Sequence, residues 1–138
     1  MVDRPLIFRK LDSLSLYARQ LAEFRGVVLE EYMRDWKVQR IVERTLQMAV
    51  ETCADIADHL ISDENLRAPA SVVDAFAVLR EAGIVSETLH GALVKMAKFR
   101  NHLHQYDEVD AEIVIAILTK HLGTFGTFRT EVISYLKV

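Results

Sequence analysis

Apolar residues recur at steps of three and four along almost the whole chain, and this spacing restricts the possible fold more than any other feature. Such steps place side chains on one face of an α-helix. The first such segment contains Ile7, Leu11, Leu14, Tyr17, Leu21, Phe24 and Val28. No segment shows a convincing alternation with the period of two that is typical of a half-buried strand. The pattern therefore predicts an all-α protein.

The second apolar pattern predicts a long amphipathic helix from about Lys37 to Ser62, after a short acidic stretch from Leu29 to Asp35. We expect Trp36, at the start of this helix, to anchor the preceding loop to the rest of the protein. The apolar face predicted for the helix consists of Val38, Ile41, Thr45, Met48, Ala49, Thr52, Ile56 and Leu60.

Capping residues indicate three further helices. Ser71 is a candidate N-cap for a shorter helix over residues 72–82, which Gly83 would end. Ser86 can cap the fourth helix, and Asp107 or Asp110 the fifth. Within the fifth helix, the glycines at positions 123 and 126 predict a kink or a break. About five helices with short connections predict an antiparallel helical bundle that forms one domain over residues 1–138.

Composition and charge narrow the function classes. Hydrophobic residues make up 51% of the 138 residues, which is enough for a substantial core. The net charge of −3 excludes a uniformly basic surface, so a nucleic-acid contact would need a local basic patch. Cys53 is the only cysteine and cannot form an intramolecular disulfide. Without a signal-peptide pattern or an apolar run of about 18 residues, a cytoplasmic protein without a membrane span is expected.

The segment 96–106 contains the candidate catalytic residues. Arg100 follows Met96 by one helical turn, and His104 follows Arg100 by another, so both belong to the apolar face of the fourth helix. A buried charge is costly unless it is paired. Either Arg100 extends its guanidinium to water at a polar rim, or the two side chains have a functional role.

The motif and its surroundings resemble the HEPN-domain family. Arg100 and Asn101, followed by His104, Tyr106 and an acidic capping residue, are similar to the family signature. More closely, the chain resembles HepT-type toxins, which are encoded beside a minimal nucleotidyltransferase antitoxin. Residues 47–61 are similar to the second long helix of these toxins and residues 74–85 to their short helix and turn. The similarity is colinear from about residue 5 to residue 120.

The resemblance implies a metal-independent ribonuclease that uses no cofactor and is active as a homodimer with both motifs at a shared cleft. His104 would act as acid and base, Arg100 would hold the phosphate and stabilise the transition state, and Asn101 would orient the phosphate or the histidine. It also implies a possible cleft acid on the second long helix, for which we select Asp55. Glu51, one turn earlier, is interpreted as part of a solvated face.

The resemblance further implies RNA as substrate and an antitoxin as partner. That antitoxin would transfer AMP from ATP to Tyr106 and so block the cleft. Considered without the family, Tyr106 would be an aromatic residue that packs at a helix end.

The motif departs from the family pattern in one respect. Three residues separate Arg100 from His104, whereas the family has at least four. One residue fewer rotates a helical side chain by about 100° and moves it by about 1.5 Å. The alternative is therefore a catalytically silent HEPN bundle that only binds the nucleotidyltransferase, and an unrelated helical interaction module is a more distant one. A metal held by His102, His104 and Asp107 is disfavoured, since helical residues two apart point about 200° apart.

Overall fold

The computed structural model describes residues 1–105 and 109–137, and for residues 104 and 105 it describes the backbone alone. All regular elements in these ranges are helical, which confirms the all-α prediction. They are α1 (Arg4–Ala22), α2 (Leu29–Arg34), α3 (Trp36–Asp63), α4 (Val72–Glu81), α5 (Glu87–Gln105), α6 (Ala111–Ala116), a π-helical segment (Ile117–His121) and α7 (Gly123–Leu136).

Three of the predicted helix starts are capped as expected. The Ser71 hydroxyl accepts a hydrogen bond from the backbone N–H of Asp74 at 3.0 Å, and the Ser86 hydroxyl accepts one from Leu89 at 3.1 Å. The Asp110 carboxylate caps α6. Gly83 follows the end of α4 with a φ of 74°, which is the left-handed conformation that glycine adopts without strain. Asp107, the other candidate cap, lies outside the described residues.

The described part of the chain contains more helices than the five predicted, because one short helix was not predicted and one predicted helix is divided. The acidic stretch after α1 forms the short helix α2, because Tyr32 is buried and its hydroxyl donates to Glu43 on α3 at 2.8 Å. The predicted fifth helix is divided by the π-helical segment, whose wider turns interrupt the α-helical register before Gly123. Gly126, the other predicted break, lies within α7.

The apolar face predicted for α3 was partly wrong. Ile41 is half exposed, and Thr45, Met48 and Thr52 are only partly buried. Because α3 contacts α1, α2, α4, α5 and α7, it buries side chains around more of its circumference than a single face. Its buried residues are Val42, Leu46, Ala49, Val50, Cys53, Ala54, Ile56, Ala57, Leu60 and Ile61.

Trp36 does not anchor a loop to the core, contrary to expectation. It is 60% exposed, with Lys37 and Arg40 beside its ring. Tyr32 takes the anchoring role instead, because its ring can be fully buried while its hydroxyl is satisfied by Glu43. In the described part of the chain, no helix is both long enough and apolar enough to cross a membrane.

Candidate active site

The candidate site lies where the C-terminal half of α5 packs against the middle of α3. Met96, Ala97 and Phe99 are buried and hold this half of α5 against the core. Arg100 follows Phe99 directly, so its Cα lies at the edge of the buried face. Its side chain is 28% exposed, which places the guanidinium between the core and solvent. Arg100 therefore lies at the edge of the apolar face of α5, whereas its spacing placed it on that face.

The Arg100 guanidinium is held by two side chains. Its Nη2 donates to Glu51 Oε1 on α3 at 3.5 Å, and its Nη1 donates to Asn101 Oδ1 at 3.3 Å. The same Glu51 oxygen accepts from Gln47 Nε2 at 3.2 Å. Glu51 therefore receives donors from its own helix and from α5, and it supplies the opposite charge that a partly buried arginine requires.

The carboxylate beside Arg100 is Glu51, whereas Asp55, which the sequence analysis selected as a possible cleft acid, contacts α1. Asp55 forms an ion pair with Lys10 of α1, and His59 Nε2 lies 3.6 Å from its other oxygen. One turn of α3 separates the two acids, about 6 Å along the helix and about 40° around it. That displacement is enough to direct Asp55 toward α1 while Glu51 meets α5.

Asn101, another candidate site residue, lies beside Arg100. Its side chain is exposed, and its carbonyl oxygen accepts from Arg100. An exposed amide next to a guanidinium offers further hydrogen-bond donors to an anion that approaches the arginine. The geometry thus combines a fixed positive charge with a neutral polar group at one point of the surface.

The histidines of the motif lie in the last part of α5. The backbone of His104 is helical and follows Arg100 by one turn, while its side chain and all of Tyr106 lie outside the described residues. The His102 ring stacks on Phe99, with 6.4 Å between ring centroids and 30° between planes. Of the cluster His102, His104 and Asp107, only the first has a described side chain. In the described ranges, no group of three His, Cys, Asp or Glu residues could hold a metal ion.

The sequence reasoning missed the role of Glu51 because a charged residue on a helix is usually solvated. The available signal was the pair Gln47 and Glu51, spaced to interact on one face of a helix that must also meet the motif helix. Cys53 is buried in the core, and burial raises the pKa of its thiol.

The chain is similar over most of its length to known nucleases and toxins. The family model described as "Ribonuclease HepT-like" matches residues 14–132. An mRNA nuclease HepT from Shewanella oneidensis is 32% identical over 124 residues, which are 89% of this chain and 92% of that protein. A tRNA nuclease HepT from Aphanizomenon flos-aquae is 26% identical over 136 residues, which are 98% of this chain and 92% of that protein. The tri-AMPylated HEPN toxin of Shewanella oneidensis, solved in complex with the MNT antitoxin, is 27% identical with a TM-score of 0.85, and the match covers 97% of this chain and 99% of that chain.

Proposed function

We propose that this chain, which belongs to the HepT-like ribonuclease family, is the RNA-cleaving toxin of a toxin–antitoxin pair and forms a single domain over residues 1–138. The observation that carries the proposal is the partly buried Arg100, held by Glu51 and Asn101 one helical turn before His104. The mRNA and tRNA nucleases among the relatives support RNA as the substrate class.

RNA supplies its own nucleophile, the 2′-hydroxyl, so the protein has to move protons and stabilise charge. In the proposed reaction, neutral His104 accepts the 2′-hydroxyl proton as the 2′-oxygen bonds to phosphorus. The bond from phosphorus to the 5′-oxygen breaks, and an imidazolium protonates that oxygen. In a dimer, this imidazolium belongs to His104 of either subunit. Arg100 binds the phosphate and stabilises the negative charge that grows in the transition state. DNA is not cleaved by this route because it lacks the 2′-hydroxyl.

Glu51 acts on the reaction through Arg100, as a positioning residue. A carboxylate fixed on α3 restricts the rotamers of the long arginine side chain and leaves its remaining N–H groups for phosphate. Asn101, on the solvent side, orients the phosphate or the histidine. The mechanism requires no metal and no cofactor, because the guanidinium supplies the positive charge.

The proposed assembly is a homodimer, with both motifs at a shared cleft, that binds a minimal nucleotidyltransferase antitoxin. The antitoxin transfers AMP from ATP to Tyr106, and the added phosphate repels RNA phosphates beside His104. The AMPylated Shewanella toxin bound to its antitoxin supports this mode of neutralisation.

One observation favours a second function, that of a catalytically silent binding partner. Three residues separate Arg100 from His104, one fewer than the family minimum. If the last turn of α5 does not compensate for this, the imidazole is displaced from the phosphate that Arg100 holds. The chain would then bind the nucleotidyltransferase without cleaving RNA.

Incubation of the purified protein with total RNA tests the two functions. We expect cleavage by the wild-type protein in excess EDTA, and its loss in His104→Ala and in Arg100→Ala. Cleavage that EDTA abolishes and a divalent ion restores would instead support the metal alternative at His102, His104 and Asp107. No cleavage by the wild-type protein, together with a stable antitoxin complex, would support the silent partner.

A further inference from the structure

Trp36 is the only tryptophan of the chain, and it lies on the surface at the start of α3. Large aromatic side chains are usually buried, yet 60% of Trp36 is exposed. The Arg40 guanidinium carbon lies 5.5 Å from the ring centroid and the Lys37 ammonium nitrogen lies 5.8 Å from it. An exposed ring with two cations beside it is a combination that single-stranded nucleic acids bind, because bases stack on the ring and phosphates pair with the cations.

The cations continue along α3 toward the candidate active site. Relative to Glu51, the positions of Trp36, Lys37, Arg40 and Arg44 lie within about 60° around the helix axis. All four side chains are exposed, and we call this set the basic stripe. Trp36 lies about 22 Å before Glu51 along the axis, and Glu51 binds Arg100. A single strand with one phosphate at Arg100 can therefore follow the same face of α3 back to Trp36 in a few nucleotides.

The charge on this face changes sign along the helix. The basic stripe contributes three cations, and none of them forms an ion pair with another described residue. Beyond Glu51, the same face carries Asp58 and also Asp55, whose charge Lys10 of α1 compensates. In a protein with a net charge of −3, this concentrates positive potential on one half of α3. A polyanion that leaves Arg100 is therefore attracted toward Trp36.

A surface depression also joins the basic stripe to the start of the described chain after α5. Its volume is about 480 Å³, and its lining includes Trp36, Arg40, Val109 and Ala111. The last two are among the first described residues after the motif. Glu43 also lines the depression, and its carboxylate is engaged by the Tyr32 hydroxyl at 2.8 Å. The stripe thus leads along α3 toward Glu51 and also borders residues 109 and 111.

We propose that the basic stripe is a binding surface for single-stranded RNA, which leads the substrate strand to Arg100 and on which one base stacks against Trp36. The inference rests on the proposed ribonuclease function and extends it by giving the substrate a path. Phosphates bind to Lys37, Arg40 and Arg44, so recognition along the stripe is tolerant of sequence.

Binding of a labelled 2′-O-methyl RNA of about twelve nucleotides tests the stripe separately from catalysis, because this RNA has no 2′-hydroxyl to attack. Stacking should quench the fluorescence of the single tryptophan during the titration. We expect Trp36→Ala to weaken binding about 5- to 150-fold and Trp36→Phe to restore most of it. We expect the double variant Arg40→Gln/Arg44→Gln to bind with a weaker dependence on salt. The negative slope of log affinity against log salt should become shallower by about 1.4, or about 0.7 for each lost phosphate contact.

Matched controls come from exposed residues of α1, namely Phe8→Ala, Arg9→Gln and Arg19→Gln, which should bind like the wild type. Unchanged affinity in the Trp36 and arginine variants would overturn the proposal. It would also be overturned if these variants altered self-association or antitoxin binding at unchanged RNA affinity, since the stripe would then be a protein interface.

Cleavage of unmodified RNA separates this proposal from the proposed function. Stripe-dependent binding by a wild-type protein that cleaves no RNA would uphold the stripe and refute the nuclease. Cleavage by a wild-type protein whose stripe variants bind and cleave normally would uphold the nuclease and refute the stripe.

Discussion

The positively charged Arg100 side chain can lie at the edge of the apolar core because the Glu51 carboxylate on the neighbouring helix pairs with it. An arginine at this depth with no acid beside it would extend toward solvent and lose a defined geometry. The hydrogen bond from Gln47 holds the Glu51 carboxylate in turn. A short polar chain from α3 to α5 thus sets the direction of the guanidinium.

Replacement of Glu51 tests this positioning role. We expect Glu51→Gln to reduce kcat for RNA cleavage by about 10- to 100-fold, since small misplacements of a catalytic group cost rates of that order. The melting temperature should stay near that of the wild type, because the amide preserves the shape of the side chain. Asp55→Asn is the matched control and should cleave normally. Equal losses in both variants would show that the cleft requires negative charge on α3 in general rather than Glu51 in particular.

Tyr106 carries the prediction about neutralisation. Its hydroxyl is two residues from His104 in sequence, so an AMP group there would bring negative charge to the site where RNA phosphate has to bind. After incubation with the cognate nucleotidyltransferase and ATP, intact-mass spectrometry should show one or more AMP additions that Tyr106→Phe abolishes. An unchanged mass in a complex that still inhibits cleavage would indicate steric neutralisation instead.

The elements are held in place at their ends by polar contacts outside the core. Arg67, in the connection between α3 and α4, donates two hydrogen bonds to Asp74 at 2.8 and 2.9 Å and two to Glu81 at 2.6 and 3.1 Å. Asp74 also accepts from the backbone of Ala70 at 2.9 Å. One guanidinium therefore ties the connection to both ends of α4. The hydrogen bonds from Arg67 and from Ala70 lower the pKa of Asp74 to about 2.

This pKa predicts a defined pH dependence of stability. A folded-state pKa of about 2, below the usual value of 3.8, means that Asp74 stabilises the fold above about pH 4 and that this contribution disappears as the pH falls toward 2. We expect Asp74→Asn to lower the melting temperature at neutral pH and to converge with the wild type between about pH 4 and pH 2. Glu23→Gln, at an exposed position after α1, should track the wild type throughout. If the melting temperatures of Asp74→Asn and the wild type still differed at pH 2, the charge of Asp74 would not be the cause of its effect on stability.

At the scale of the whole molecule, polar groups surround the apolar core, and α5 carries Arg100 at its edge. The core is one cluster of buried residues that draws on all the helices. A second subunit that packed over the Arg100 face could cover apolar surface and leave a polar cleft between two motifs.

The dimer is testable in solution. Sedimentation equilibrium at micromolar concentration should report twice the mass of the 15.8 kDa chain. Mixing inactive Arg100→Ala and inactive His104→Ala chains should restore part of the cleavage activity if each cleft uses both motifs. A monomer that cleaves RNA at these concentrations would contradict a composite site.

Local patterns in the sequence determined most of the fold and the location of the candidate site. Apolar spacing predicted helices, and the caps at Ser71, Ser86 and Asp110 predicted where three of them begin, because these interactions involve neighbours only a few residues apart. The motif resemblance pointed to the end of α5 as the candidate site and to the family of the chain. The match of the family model to residues 14–132 confirmed the family.

Tertiary packing decided which polar side chains meet. Glu51 and Asp55 have nearly the same local environment in sequence, yet α5 pairs the first with Arg100 and α1 pairs the second with Lys10. Packing also explains why Ile41 is half exposed and Trp36 is exposed. Which sides of α3 are buried depends on the helices that contact it, namely α1, α2, α4, α5 and α7. Periodicity shows that a helix has an apolar face, but side-chain partners depend on how helices far apart in sequence are rotated and displaced against each other.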